Sequence, residues 1–376
     1  MAIFFAITPF LTAQSNHPLE HLPYSGGVLA ARAYRAGRLV PQNGGFGLLG
    51  PTDLVCSPAP CVFTPVRASP GGQPANESPL ATNPRNPMQF LSGANDYNCG
   101  NIQGFYSTND GGTTWTHTCS KGSGGEGDPV VAYDLQNTAI SGGIQNGNFV
   151  VFTSTDNGTT WSNPITVTSP LLGSLADKPW LEADNNPGSP FAGSLYISGT
   201  QFASNSDSEI SLSRSRDSGK TWSTVVVDTK QIFPAFVDQF SDVAVGRDGT
   251  VYVSWLRCPA NGPSGDCGGT TANFLLAKST DGGATFGAPI TIATTTLAPD
   301  PDFCCFYGEL PNTFERVSDI PSITVVGSGA TARVFVTYYK YTGGFLQVLL
   351  ATSNDGGNTF NGGVPVSPAS TDQFFP

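Results

Sequence analysis

The stretch Ser154-Thr155-Asp156-Asn157-Gly158-Thr159-Thr160-Trp161 decides the fold, because its pattern, Ser/Thr-x-Asp-x-Gly-x-Thr-Trp/Phe, returns at 108–115, 215–222, 279–286 and 353–360. Ser and Asp side chains bond nearby backbone groups, Gly supplies a left-handed φ, and the closing aromatic needs a buried slot. Each copy therefore predicts a tight hairpin between two antiparallel strands. The flanks agree: Asn148-Phe149-Val150-Val151-Phe152-Thr153 leads into the turn and Pro164-Ile165-Thr166-Val167-Thr168 leads away, both alternating as strands do. The repeated aspartates Asp110, Asp156, Asp217, Asp281 and Asp355 lie 46, 61, 64 and 74 residues apart, a period that suits a four-stranded propeller blade with variable loops.

The five copies resemble the Asp-box, or BNR, repeats of the sialidase-like β-propellers, over roughly residues 60–376. The resemblance implies an all-β propeller of four-stranded antiparallel blades. It also implies that the boxes lie on the blade periphery, away from any active face. Asp110, Trp115, Asp156, Trp161, Asp217, Trp222, Asp281, Phe286, Asp355 and Phe360 are then structural residues. Such a turn occurs in enzymes and in propellers without chemistry, so fold alone does not give function.

The chain has 376 residues, 45 of them Gly and 30 Pro, with 39% hydrophobic and only 12% charged residues, enough for a large core shared between blades. A net charge of −11 argues against nucleic acid or an anionic membrane surface as partner, since both need a basic face. No segment is long and apolar enough to span a bilayer. Nothing in the sequence sets the oligomeric state.

Residues 1–13 resemble the apolar region of a secretory signal with Ala13 at the cleavage point, although the positive start is missing and a hydrophobic strand is the alternative. Eight cysteines strengthen the reading of an exported protein. Cys56 and Cys61 bracket a Pro-rich turn, Cys99 and Cys119 flank the first repeated turn, and Cys258 and Cys267 bracket a Gly/Pro loop. Cys304 and Cys305 are adjacent, which leaves a vicinal disulfide and two free thiols both open. Three histidines (His17, His21, His117) without a Cys-x-x-Cys give a zinc site little support.

Residues 14–59 are poorly patterned and predict a loose N-terminal segment ahead of a propeller over 60–376. The stretch 62–70 resembles the outer strands that follow later turns, and it predicts an outer strand that closes the ring in the last blade. Five blades then occupy about 76–371, and 372–376 reads as the first strand of a sixth blade. The sequence thus predicts five complete blades plus a split or truncated sixth, with blade edges left unpaired.

Each blade's first strand opens on an acid: Asp128, Asp177, Asp238, Asp319 and Asp372, with Asn76-Glu77 in the remaining place. At equivalent positions these would ring the axis on one face, joined by Trp180 just inside the third blade. An acidic mouth suits a hydroxyl-rich glycan or polysaccharide, or a calcium ion, which prefers oxygen ligands. The plainer reading is that each Asp caps the turn into its strand.

A sialidase grips a carboxylate with three arginines and uses a Tyr nucleophile with a Glu partner and an Asp acid/base. Here 83–87 reads Asn-Pro-Arg-Asn-Pro, so Arg85 is present without the family's Arg-Ile-Pro motif. Arg257 and Arg316 are the other candidate arginines, and Tyr307 with Glu309 is a weak nucleophile pair. An acidic mouth also repels sialic acid. Gly219-Lys220-Thr221 imitates a P-loop end, but Arg214 stands where its first Gly belongs. The loop 302–316 combines aromatics that stack on sugar faces with carboxylates and Arg316, and it adds Tyr307 to the candidate binding residues. The sequence reading is an exported sialidase-like propeller that binds or acts on carbohydrate at its axial face. An active glycoside hydrolase and a non-catalytic surface scaffold are the alternatives.

Overall fold

The computed structural model describes residues 22–38, 66–168, 171–262, 264–311, 313, 315–366 and 371–373. The chain is an all-β propeller of five antiparallel four-stranded sheets. Blade one begins with a first strand in two halves, Ala75–Asn76 and Leu80–Thr82, both paired to Phe90–Asp96, and continues through Gly104–Thr108 and Thr116–Cys119. Blade two runs from Gly125–Tyr133 to Ile165–Thr168, blade three from Leu175–Ala183 to Ser223–Val226, and blade four from Val237–Val245 to Ile290–Thr296. Blade five runs from Ser322–Val326 to Val364–Pro365. No strand pairing joins blade five to blade one among the described residues.

The repeated turns join the third and fourth strands of every blade, and they share one hydrogen-bond plan. The leading Ser or Thr hydroxyl donates to Asp Oδ1 at 2.7–2.8 Å and accepts the N–H of the Gly two residues past the Asp at 2.8–3.1 Å. The later Thr donates its hydroxyl to Oδ2 at 2.6–2.7 Å. Left-handed backbone is needed at two successive positions, not one: Asn157 (φ 54°) and Ser218 (φ 58°) take the first without being glycine. The Thr114 N–H and hydroxyl hold Asp110 down to about 2. One closing aromatic seals blade two against blade one. Trp161 is buried and its ring lies 4.9 Å from that of Phe105 in blade one.

Each of the first strands of blades two, three and four carries a bulge, seen as a register skip between Gly127 and Val130, Asp177 and Trp180, and Gln239 and Asp242. The left-handed residue of each bulge is Asp128 (φ 52°), Lys178 (φ 52°) and Phe240 (φ 60°), and Glu77 (φ 54°) breaks blade one's first strand in the same way. This corrects the expected acidic ring. Asp128 sits on the left-handed position, Asp177 one residue before it and Asp238 two before it. Asp319 lies three residues ahead of strand Ser322–Val326.

Two further expectations change. Within the stretch expected to be loose, residues 22–38 are ordered: a helix, Gly26–Arg35, starts at the N-cap Ser25 and buries Val28, Leu29, Ala31 and Ala33. Residues 66–70 form no strand, and 66–69 lie instead along blade one beside Ala94, Tyr106 and Trp115. At the other end, Asp372 Oδ1 accepts the Leu346 N–H and Gln373 N–H donates to the Leu346 carbonyl, both at 2.9 Å. Residues 1–13, Cys56, Cys61, 62–65 and 374–376 lie outside the described residues.

Candidate functional site

The bulges bring Glu77, Asp128 and Lys178 to the wall of one axial cavity of about 320 Å³, together with Pro129, Pro179, Trp180, Pro321 and Ser322. A second cavity of about 390 Å³ continues along the first strands of blades one to three, shares Pro79, Pro129 and Trp180 with the first, and reaches Glu182. Together they form a channel with Trp180, 38% exposed, on its wall. Volumes of this order suit a small ligand or a few units of a polymer.

Charge in the channel is compensated internally. Lys178 Nζ lies 3.7 Å from Glu77 Oε2 and 3.8 Å from Asp128 Oδ1. Burial would lower the Lys178 ammonium, but Asp128, Glu77 and Asp177 outweigh it and hold the group above its ordinary value. About a third of the Glu77 side chain is exposed, and burial of its carboxyl pushes it up to about 7 against the pull of Lys178. Burial raises Asp128 as well, again opposed by Lys178. The acidic mouth therefore carries its own cation. Calcium does not fit between these oxygens, because the ammonium already stands against both.

The N-terminal segment packs against the same carboxyls. Ser25 N–H donates to Asp177 Oδ2 and Ser25 Oγ donates to Asp128 Oδ2, both at 2.5 Å. Gln239 Nε2 donates to the Pro23 carbonyl at 3.0 Å and to Asp177 at 2.8 Å, and Tyr307 donates its hydroxyl to the same Pro23 carbonyl at 2.8 Å. Arg316 donates to the carbonyls of Tyr24 (2.7 Å) and Leu22 (3.2 Å). The helix approaches so closely that a Cβ on Gly27 would stand 2.2 Å from Asp128 Oδ1 and 2.9 Å from Glu77 Oε2. That one point touches both carboxyls, so Glu77 and Asp128 are near neighbours.

The other candidate residues are spread out. Asp238 and Asp228 clamp Arg257 in a buried ion pair, with Arg257 Nε 2.7 Å from Asp238 Oδ1. Arg85 is exposed in the turn before Phe90–Asp96, so Arg85, Arg257 and Arg316 do not converge as a carboxylate clamp. Asp319 is fully buried and accepts the Tyr339 N–H at 2.9 Å, and burial raises it well above the usual range. Tyr307 is buried, its phenol raised far above its ordinary value by that burial, and its hydroxyl is committed to Pro23. Glu309 faces elsewhere: its Oε2 lies 3.3 Å from Cys304 Sγ, and burial, then Asp302 and Asp300, push it up to about 7. Tyr307 and Glu309 are thus not arranged as a nucleophile pair.

Disulfides link Cys99 to Cys119, Cys258 to Cys267 and Cys304 to Cys305. Sulfurs gather with His117 and with Asp300 and Glu309, but all are oxidised in pairs, and a disulfide offers no thiolate to a metal. Lys178, Gln239 and the whole segment 22–25 escaped the sequence reading. The signal for the bulges was the small or Pro residue after each left-handed position: Glu77-Ser78, Asp128-Pro129, Lys178-Pro179 and Phe240-Ser241.

No protein-family model matches the chain. No curated protein matches it either. Solved structures share the propeller fold at low identity. A polysaccharide lyase of the PL25 ulvan lyase family is 14% identical with a TM-score of 0.49 over 76% of this chain and 70% of its own. An α-L-arabinanase from Penicillium chrysogenum, complexed with arabinobiose, is 15% identical with a TM-score of 0.48 over 78% and 82%. A protein of unknown function from Dyadobacter fermentans is 14% identical with a TM-score of 0.45 over 75% and 79%. None of the three is described as a sialidase, and likeness at this level says nothing of function.

Proposed function

We propose that this protein is an exported propeller that binds a neutral glycan in its axial channel. The observation that carries the reading is Trp180, partly exposed beside the Glu77–Asp128–Lys178 cluster in one channel. An indole face stacks on a sugar ring, while the carboxyls and the ammonium bond its hydroxyls. Internal compensation of charge favours a neutral ligand over a uronate or a sialic acid. The scattered arginines agree with that choice. Three disulfides support an oxidising, extracellular setting.

Binding is favoured over cleavage by the closeness of Glu77 and Asp128. Glycosidase carboxyls flank the scissile bond at about 5–5.5 Å or about 6.5–9.5 Å, with the sugar between them. Here the two carboxyls are hydrogen-bonded to each other and stand 3.7 and 3.8 Å from the same lysine. Affinity electrophoresis through gels of neutral and acidic polysaccharides tests the reading. Retardation by a neutral polysaccharide, unchanged by salt, is expected, whereas release of reducing ends would favour the hydrolase alternative and retardation only in acidic gels would contradict the proposal.

A further inference from the structure

The segment 22–35 occupies a second recognition surface, which shares Asp128 and Glu77 with the channel. Leu22, Pro23, Tyr24 and Ser25 are gripped through their main chain: three successive carbonyls and one N–H are met by Arg316, Gln239, Tyr307 and Asp177. Those side chains come from blades three and four and from the loop ahead of blade five, hundreds of residues away in sequence. The segment adds no strand to any blade, and each sheet has its four strands without it. Its main chain is thus held by propeller side chains, while Tyr24, Val28 and Leu29 pack into the hydrophobic core of the blades.

Side-chain selectivity is also built in. The Tyr24 ring is buried edge-on against Phe202 at 5.0 Å, and Arg32 lies over its other side at 5.3 Å. Pro23 brings no N–H that would need a partner in this crowded place. Gly27 is dictated by the carboxyls beneath it. The helix that follows aims its N-terminus at Asp128 and Asp177, where its dipole favours negative charge.

We propose that the axial face is a peptide-binding site whose present occupant, residues 22–25 with the helix Gly26–Arg35, is an intramolecular ligand. A separate polypeptide carrying hydrophobic-Pro-Tyr-Ser followed by two glycines and a helix would bind there in trans. The intact protein resists such a peptide because its own segment competes at an effective concentration of about millimolar.

The test uses the full chain carrying Gly27→Val, which drives a side chain into Asp128, and a fluorescein-labelled peptide of residues 22–38. Hydrogen exchange over 26–35 should rise in the variant, and the peptide should bind it at least tenfold tighter than it binds the unaltered protein. Adding Arg316→Ala should cost at least tenfold, and a scrambled peptide should not bind. Tyr24→Asp expels the segment by a second route and should open the site equally. Folded Gly27→Val and Tyr24→Asp proteins that both ignore the peptide, or binding indifferent to Arg316→Ala, would overturn the proposal. So would unfolding of both variants, because a receptor outlasts the loss of its ligand.

Discussion

Arg316 donates to the carbonyl of Tyr24 across 292 residues of sequence, at 2.7 Å. This contact joins the loop ahead of blade five to a segment that precedes the first blade, and it helps to fix the place of residues 22–25. Removing the guanidinium by Arg316→Ala should raise hydrogen exchange in the helix Gly26–Arg35 while the blade strands stay protected. Equal loss of protection in blade and helix would show that the segment and the propeller unfold as one unit.

Asp156→Ala tests the repeated turn. The carboxylate accepts the Ser154 hydroxyl, the Thr160 hydroxyl and the Thr160 N–H at 2.7–2.9 Å. Their loss should destabilise by about 1 to 2 kcal/mol and leave ligand binding intact. Denaturant melts alongside binding isotherms check both halves. Weakened binding at unchanged stability would mean that the turn belongs to the site.

The buried triad of Arg257, Asp238 and Asp228 makes a sharper stability prediction. Arg257→Met leaves Asp238, which burial already pushes up to about 7, without the cation that lowers it, so it takes up a proton near neutral pH and the lost bonds should cost about 1–3 kcal/mol. The cost should shrink in acid as the carboxyls protonate. A variant that melts with the unaltered protein at pH 7 would place the triad in solvent.

Glu182 lines the lower channel, and burial pushes its carboxyl from 4.5 up to about 7, with Asp184 adding to the rise and the Ala183 N–H opposing it. Since the folded pKa exceeds the unfolded one, the protonated group's contribution is present below about 4.5 and is lost as the pH rises through about 7. Glu182→Gln should therefore match the unaltered protein at pH 4 and be more stable at pH 8. Melting curves at the two pH values decide this, and a gain confined to pH 4 would reverse the sign.

The five turns and the blade count were legible because their chemistry is local: Ser154, Asp156 and Thr160 satisfy one another within seven residues. The register of the innermost strands was not. Aspartates near every strand start invited alignment on Asp128, Asp177 and Asp238, whereas the bulge sets the register and gives Lys178 and Phe240 the place in their blades that Asp128 has in blade two. Residues 22–38 were unreadable for a different reason. Their stabilising partners Asp177, Gln239 and Arg316 lie 152 to 294 residues away, and no local pattern announces them. The vicinal pair was left open because spacing cannot distinguish thiols from a disulfide, which the geometry of Cys304 and Cys305 does.

Whether Trp180 forms the sugar platform of the axial channel is decided by isothermal titration of neutral oligosaccharides against the full chain and its Trp180→Ala variant. Stacking on an indole contributes on the order of 1 kcal/mol or more, so the variant should lose at least about fivefold in affinity, while Asp156→Ala retains it. Saturable binding of a neutral oligosaccharide that disappears with Trp180 is the predicted result. Equal affinity in the presence and absence of the indole, or no binding by the unaltered protein, would contradict the account.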